Sequence, residues 1–532
     1  MKTTIFFILN LFTALTINSL AQSPAYKNSQ VTENNLKGGF YQRFIGADED
    51  FYFLKVKNYN AGEQKRFFID KITPELDVVS TELNYSEGNI LESNTLQELY
   101  RIHNYTAIIS STFDKKNASN TLYLLKSSDN VNISSDKIQL ASIPAEKMIN
   151  KGEFGTYLSP DGNLLYVITG EPYNKDKTSY TIQLKCFETA TLKESWSRSF
   201  DIGNESQKNV VFSLIGDNSS NLLLNVFSAK GFGSSRQFYH YSHENGTLNE
   251  LNIGLEEKEI IDSYDLTLSN NGSFILSGFF KNKNSMAIQG RFIVSVEKNG
   301  TVSLNHKQNI EEKIYKSLFG DNFSVTDKSG LYAFALKKVE QLPNGNLVYL
   351  LEKMTKLEKS IPNTSPPNFE RTRTYETILA FCVSPKTGEV IWNNKIDRKA
   401  SFTTIEALGK NLNQGPFDSF VSFANNDNIN IIYNNSELNN VSEWKDGNGL
   451  YEKRAIYGNT TKYPPFQHIL DATGNSLYGQ TTFGYPVDGM LKQNTTHPMA
   501  LYTQVFGTKE NTLLLINQSL DGNYFSYSIL KF

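Results

Sequence analysis

The chain has 532 residues, enough for several ordinary domains or one large repeat array. Its 52 Lys and Arg against 55 Asp and Glu leave a formal net charge of -3, which excludes the basic excess that nucleic-acid binders carry. Hydrophobic residues at 39% and charged residues at 20% exclude disorder by composition. Aromatics at 12%, spread among Asn/Asp/Gly/Ser turns, point to an all-β chain.

The N-terminus reads as an export signal spanning residues 1–21. Lys2 supplies the positive start, "IFFILNLFTALTI" (Ile5 to Ile17) is an apolar core, and Ser19-Leu20-Ala21 places small residues where a signal peptidase cuts. Cleavage after Ala21 would leave residues 22–532 as one exported domain, periplasmic or extracellular. No Cys adjoins the cut for a lipid anchor. No later apolar run reaches the roughly 18 residues of a membrane-spanning helix. The mature chain is therefore expected to be soluble and monomeric.

One pattern then recurs: a polar turn followed by a strongly apolar strand. It appears as "FIGADEDFYFLKV" from Phe44, "RIHNYTAIISSTF" from Arg101, "YLSPDGNLLYVIT" from Tyr157 and "IGDNSSNLLLNVFS" from Ile215. It returns as "LSNNGSFILSGFF" from Leu268, "LPNGNLVYLLEK" from Leu342, "FANNDNINIIYNN" from Phe423 and "FGTKENTLLLINQ" from Phe506. The strands are marked by Phe51, Ala107, Leu164, Leu222, Phe274, Leu347, Ile429 and Leu513, so successive spacings are 56, 57, 58, 52, 73, 82 and 84. After each comes a second hairpin, such as "GRFIVSVEKNGTVSLNHK" from Gly290, with an alternating strand, a tight turn and a more polar strand. Four strands per unit, with the second apolar on both faces, is the layout of a β-propeller blade. The reading is one propeller of eight blades, with seven as the alternative. Because the last unit lacks a fourth strand, residues around Tyr26 to Thr32 are expected to supply it and close the ring. A membrane β-barrel is disfavoured, since its strands would alternate apolar and polar.

Recognisable catalytic motifs do not emerge: there is no H-E-x-x-H, G-x-S-x-G, P-loop or C-x-x-C. Of the 6 His, only His240 and His243 are close, and both are read as solvated turn residues. "WKDGNGLYE" from Trp444 lacks the acidic positions of a calcium loop, and "SPDGN" from Ser159 is explained by turn chemistry. No metal or cofactor is expected. Cys186 and Cys382 are read as buried, unpaired thiols, with a disulfide between them as the alternative.

In the sixth unit, "FCVSPKTGEVIWNNKI" resembles a pyrroloquinoline-quinone-type propeller repeat through Thr387, Gly388 and Trp392; "CFETATLKESWS" in the third is similar, with Trp196. That resemblance implies a Trp docking blade against blade. The quinoprotein dehydrogenases of that group also use an adjacent Cys pair, which this sequence lacks. As a whole the chain resembles exported bacterial propeller proteins of poorly characterised function.

The late units are swollen at about 355–376 and 434–465, both between second and third strands, and both are expected to be long loops at one mouth of the channel. The first carries Arg371, Arg373 and Tyr375 behind Pro366-Pro367, and the second Trp444, Tyr451, Arg454 and Tyr463. Trp, Tyr and Arg are the residues that most often anchor a partner. The reading is a binding or scaffolding module for a protein or glycan, with no catalytic residue identified. The alternative is a quinoprotein-like oxidoreductase or a hydrolase, with carboxylates and Arg around the central channel.

Overall fold

The computed structural model describes residues 25–29, 32–33, 39–57, 66–83, 94–128, 132–133, 136–174, 179–203, 210–230, 233–326, 329–362, 368–407, 419–434, 465–479, 499–509, 512–519 and 524–531. These form a β-propeller. Antiparallel sheets follow one another along the chain at 39–83, 94–144, 153–203, 211–250, 259–309, 334–407, 420–479 and 499–531, here called blades one to eight. Within each, hydrogen bonding runs from a first, innermost strand outwards. The inner strand of blade one, Gly39–Ala47, touches that of blade two, Asn94–Ile102, and that of blade eight, Met499–Lys509. The same contact links every other consecutive pair of inner strands. We read this circuit as an eight-membered ring.

The second strands explain themselves by burial. Leu164–Gly170 is buried at every position after the first, as is most of Phe274–Asn282 and the first six residues of Leu347–Ile361. Each is hydrogen-bonded on both edges and covered on both faces by flanking blades, which leaves no side for polar residues. The preceding turns are closed by their own side chains. Asp161 Oδ1 accepts from Ser159 Oγ at 2.6 Å and from the Asn163 amide at 3.1 Å. Asp217 and Asp471 make equivalent bonds, so these acidic turns are scaffold.

The N-terminal strand Ala25–Asn28 pairs antiparallel with the third strand of blade eight, Tyr524–Lys531, in the register Ala25↔Lys531 to Asn28↔Ser528. On the other side of that blade lies a buried network. Tyr41 donates to Asp70 Oδ2 at 2.6 Å, Lys55 Nζ to the same oxygen at 2.7 Å and Ser80 Oγ to Oδ1 at 2.5 Å. Tyr41 also shares a 2.7 Å hydrogen bond with Tyr527 of blade eight. Burial pushes the phenol pKa values of both tyrosines up, so each stays a neutral donor.

Trp392 docks between blades. Its Nε1 donates to Ala472 O at 2.8 Å, and its ring lies where a side chain on Gly474 would sit, in the third turn of blade seven. Gly388 stands over His306 of blade five in the same way, with φ +74. Trp196 packs on Tyr241 and His243 of blade four.

The structure corrects one reading and adds one element. His243 is exposed, but His240 is fully buried, 5.4 Å from the Phe274 ring centroid, with neither ring nitrogen hydrogen-bonded. It lies inside the third strand of its blade, paired with Leu223 and Asn249, and not in the turn. A helix, α1 (Glu312–Phe319), interrupts the passage from blade five to blade six and buries Ile314 and Tyr315. A short pair, Ala287–Ile288 with Leu331–Tyr332, packs beside it.

Cys186 and Cys382 are free, fully buried and equivalently placed, each opposite a Trp on the outer strand. Burial raises their thiol pKa values to about 11 and about 12. Neither is expected to react with a thiol reagent in the folded protein, and both should react on denaturation, as counted by a chromogenic disulfide titration. Burial also lowers the His240 pKa to about 4, against an opposing pull from Asp217. The unfolded chain therefore binds a proton that the folded chain excludes, and stability falls as pH drops from about 6.5 towards 4. His240→Phe should shrink the loss of Tm between about pH 7 and about pH 5; an unchanged loss would place the acid sensitivity elsewhere.

Candidate functional site

Neighbouring strands are antiparallel, so the turns after first and third strands leave one edge of each sheet, and the connections after second and fourth strands leave the other. The first edge is built from tight turns, such as 159–163, 189–193, 342–346 and 471–475. The enlarged connections, including α1 and its small strand pair, belong to the second edge. That face carries the predicted insertions.

In blade six the extra length is not a loop. The second strand runs over Leu347–Ile361, the third over Asn368–Val383 and the outer over Val390–Ala407, paired from Ile361↔Asn368 and Asn368↔Ala407 inwards. The expected loop at 355–376 is thus two strands of a three-stranded ribbon joined by a short hairpin. Its physical reason is alternation: "TKLEKSI" and "FERTRTYE" place β-favouring Thr, Ile, Phe and Tyr among charges, which favours extended strand over loop. Thr355 to Ser360 are all exposed, and Leu357 keeps 70% of its surface. The inner strand of the blade, Phe334–Gln341, pairs only as far as Lys353, so the ribbon runs beyond it.

At its base the ribbon is pinned by a buried ion pair. Arg398 and Glu352 are fully buried and bonded to each other, with Lys337 Nζ 3.6 Å from the second Glu352 oxygen. The Arg398 guanidinium lies 4.7 Å from the Tyr375 ring centroid and 5.8 Å from that of Tyr433. Its Nε donates to Asn434 O at 3.1 Å, on the last residue of the second strand of blade seven. Register shifts at Lys353/Met354 and Tyr375/Thr377 fall at this level. The bulges and the buried ion pair thus meet at the root of the ribbon. One side chain therefore ties the root of the blade-six ribbon to the point where the blade-seven insertion begins.

Arg371, Arg373 and Tyr375 follow at alternate positions of the middle ribbon strand and so share one face. Their surroundings differ from the expectation that all three would be displayed. Arg371 is half-buried, 2.7 Å from Glu358 and stacked over Phe369. Arg373 is 3% exposed and Tyr375 is fully buried against Arg398, so both belong to the ribbon's packing. Trp444, Tyr451, Arg454 and Tyr463, with the expected loop at 434–465, lie outside the described residues except for Asn434 and the Pro465 strand start. Sequence reading missed Lys337, Glu352 and Arg398. Their one signal was a Glu inside the apolar run "LVYLLEK", which needs a buried cation.

Charges on the inner strands are used as stitches between blades. Arg43 pairs with Glu98, and the Tyr100 and Thr156 hydroxyls are 3.2 Å apart. Asp265 accepts from the Val339 amide at 3.2 Å. Lys338 bonds Glu340 at 2.6 Å and Ser422 O at 3.1 Å. These bonds join blade one to two, two to three, five to six and six to seven.

No family model matches the chain, and no curated protein matches it. Among solved structures it is similar to the β-propeller domain of the trilobed protease from Pyrococcus furiosus, at 8% identity, covering 85% of this chain and 99% of that one, TM-score 0.35. It is similar to the Pyrococcus horikoshii acylaminoacyl peptidase at 9% identity, covering 91% of this chain and 59% of that one, TM-score 0.36. A third is Penicillium chrysogenum α-L-arabinanase complexed with arabinobiose, at 10% identity, covering 62% of this chain and 93% of that one, TM-score 0.30. At such values the likenesses say nothing of a site, and the fold rests on the strand pairing above.

Removing Arg398 alone would strand a buried carboxylate. Arg398→Met is expected to cost about 3–5 kcal/mol in denaturant unfolding, and Arg398→Met with Glu352→Leu to recover most of it. Equal losses in the single and double variants would mean that the pair does not hold the junction.

Proposed function

We propose that this chain is an exported propeller that acts as a binding or scaffolding module, holding a protein or glycan partner on the face that carries the enlarged connections. The observation that carries this reading is the ribbon of blade six. Its second strand is exposed at every residue from Thr355 to Ser360, while its root is locked by the Arg398–Glu352 pair. A blade needs only enough strand to cover its neighbours. Extra strand standing in solvent adds little to the core, and among the described residues it leaves a backbone edge beyond Lys353 without a neighbouring strand, beside a charged, partly aromatic face. An extended partner segment can add to such an edge as a further strand. Lys356 and Lys359 on that edge guard against indiscriminate pairing, as charged residues on exposed edges do.

The test is capture of envelope proteins and glycans by the mature chain and by a variant in which an Asn-Gly turn joins Met354 directly to Tyr375, its cross-strand partner. The variant should keep its circular dichroism and lose the captured partner. Arg371→Ala and Trp444→Ala should each weaken capture; Arg373 is too buried to serve as a surface probe. Undiminished capture by the ribbon-less variant would refute the assignment.

A further inference from the structure

A second place on the same face has the make-up of a small-ligand site, and its residues are separate from the ribbon. It is a cleft of about 430 Å³ beneath blade three, lined among others by Met148, Lys151, Glu153, Glu171, Tyr173 and Tyr180. That is within the usual size of small-molecule sites, roughly 300–1,000 Å³. Three strand ends build it. Glu153 opens the inner strand Glu153–Leu158 and stands opposite Gly170, which closes the second strand. Gly170 stands in turn opposite Ile182 of the third strand, and Tyr180 is two residues before Ile182. Residues opposite each other, or two apart, share a face, so Glu153, Gly170 and Tyr180 all face one way.

Gly170 is what admits the tyrosine: a Cβ there would lie 2.2 Å from the Tyr180 hydroxyl and 2.6 Å from Phe212. Tyr180 is only 3% exposed, yet its hydroxyl makes no hydrogen bond among the described residues, and it lines the cleft. A buried phenol ordinarily finds a partner. Glu153 is exposed to solvent, and its carboxyl makes no ion pair or hydrogen bond among the described residues. The Asn150 side-chain amide, which also lines the cleft, donates to Tyr173 O at 2.9 Å and accepts from Tyr173 N at 2.7 Å. That clamp ties two lining residues of the cleft to each other and holds the Tyr173 backbone in place.

We propose that this cleft binds a sugar ring of a neutral saccharide. The Tyr180 phenol, the Glu153 carboxyl and the Lys151 ammonium line the cleft together and offer both donors and acceptors to the hydroxyls of a sugar. Met148, Val210 and the Tyr173 ring give apolar wall for the C–H faces of a pyranose or furanose. Lys151 beside Glu153 works against a purely cationic ligand, because the carboxylate already has a nearby positive charge. The inference deepens the binding role by naming a ligand class, but it rests on residues that the ribbon reading does not use.

The test uses the full mature chain and saturation-transfer NMR with maltose, cellobiose, xylobiose and arabinobiose as probes, and putrescine as a cationic control. At least one disaccharide should show transfer. Its affinity should fall about tenfold or more in Tyr180→Phe, which removes one oxygen and keeps the buried ring, and in Glu153→Gln. Gly170→Ala should abolish binding; if it unfolds, Tyr180→Phe decides alone. Binding must survive the ribbon-less variant, and capture through the ribbon must survive Tyr180→Phe, so the two readings fail separately. No transfer from any disaccharide, transfer unchanged in both Tyr180→Phe and Glu153→Gln, or transfer from putrescine alone would overturn the proposal.

Discussion

A single buried carboxylate, Asp70, stands where the ring is joined. It lies on the third strand of blade one and receives hydrogen bonds from Tyr41 on the first strand, Lys55 on the second and Ser80 on the outer. All four strands of the blade are therefore tied to one residue, and through Tyr41 and Tyr527 so is blade eight. A buried charge is costly unless it is fully paired, and such a network demands a unique arrangement of every partner. Elsewhere apolar second and third strands pack between blades, with single polar contacts such as Arg43–Glu98 and Trp392–Ala472 added to them. At the junction between the two ends of the chain the contact is polar and directional. The alignment of blade one against blade eight, on which closure depends, is set by hydrogen-bond geometry as well as by packing.

The two faces of the ring have different tasks. One is made of short Asx-type turns whose side chains are consumed in holding their own backbone, as at Asp161, Asp217 and Asp471. The other carries α1, the ribbon, the root of the blade-seven insertion and the blade-three cleft. Polar groups on the inner strands, Arg43, Glu98, Asp265, Lys338 and Glu340 among them, are mostly spent on neighbouring blades. Groups with unused bonding capacity, Tyr180 and Glu153, stand instead at the start of blade three on the irregular face. This division of labour matches a scaffold that leaves one side inert and varies the other.

Much of the architecture was legible because the second strands leave a strong mark. "LLYVIT" and "LVYLLE" are apolar at consecutive positions, a pattern that only a doubly covered strand needs. The Trp392 contact was foreshadowed only by the resemblance of its hairpin to a known propeller repeat, which implies a Trp docked on the next blade. What failed were inferences about exposure. The charged, Pro-flanked run around Arg371 to Tyr375 reads as a loop because its alternating charges leave no apolar face to detect, yet it is a strand with Arg373 and Tyr375 buried. His240 was placed in a turn because "YHYSHENG" offers polar neighbours on both sides, while its strand continues to Ser242. Helix α1 escaped notice although Ile310, Ile314, Tyr315 and Leu318 follow a helical spacing before Gly320. The cleft had no sequence signature: it depends on a glycine and a tyrosine ten residues apart meeting across a strand pair.

The pairing of Ala25 with Lys531 also has a consequence in time. The strand Ala25–Asn28 waits for a partner about five hundred residues away along the chain. Loop closure over such a span is slow to be rewarded, because its entropic cost falls due before any of its hydrogen bonds form. During synthesis the early blades can assemble one by one, each a local product of adjacent hairpins. The seam cannot, since half of it does not yet exist. Until the strand Tyr524–Lys531 is made, Ala25–Asn28 has no partner, so this pairing forms after the blades between them.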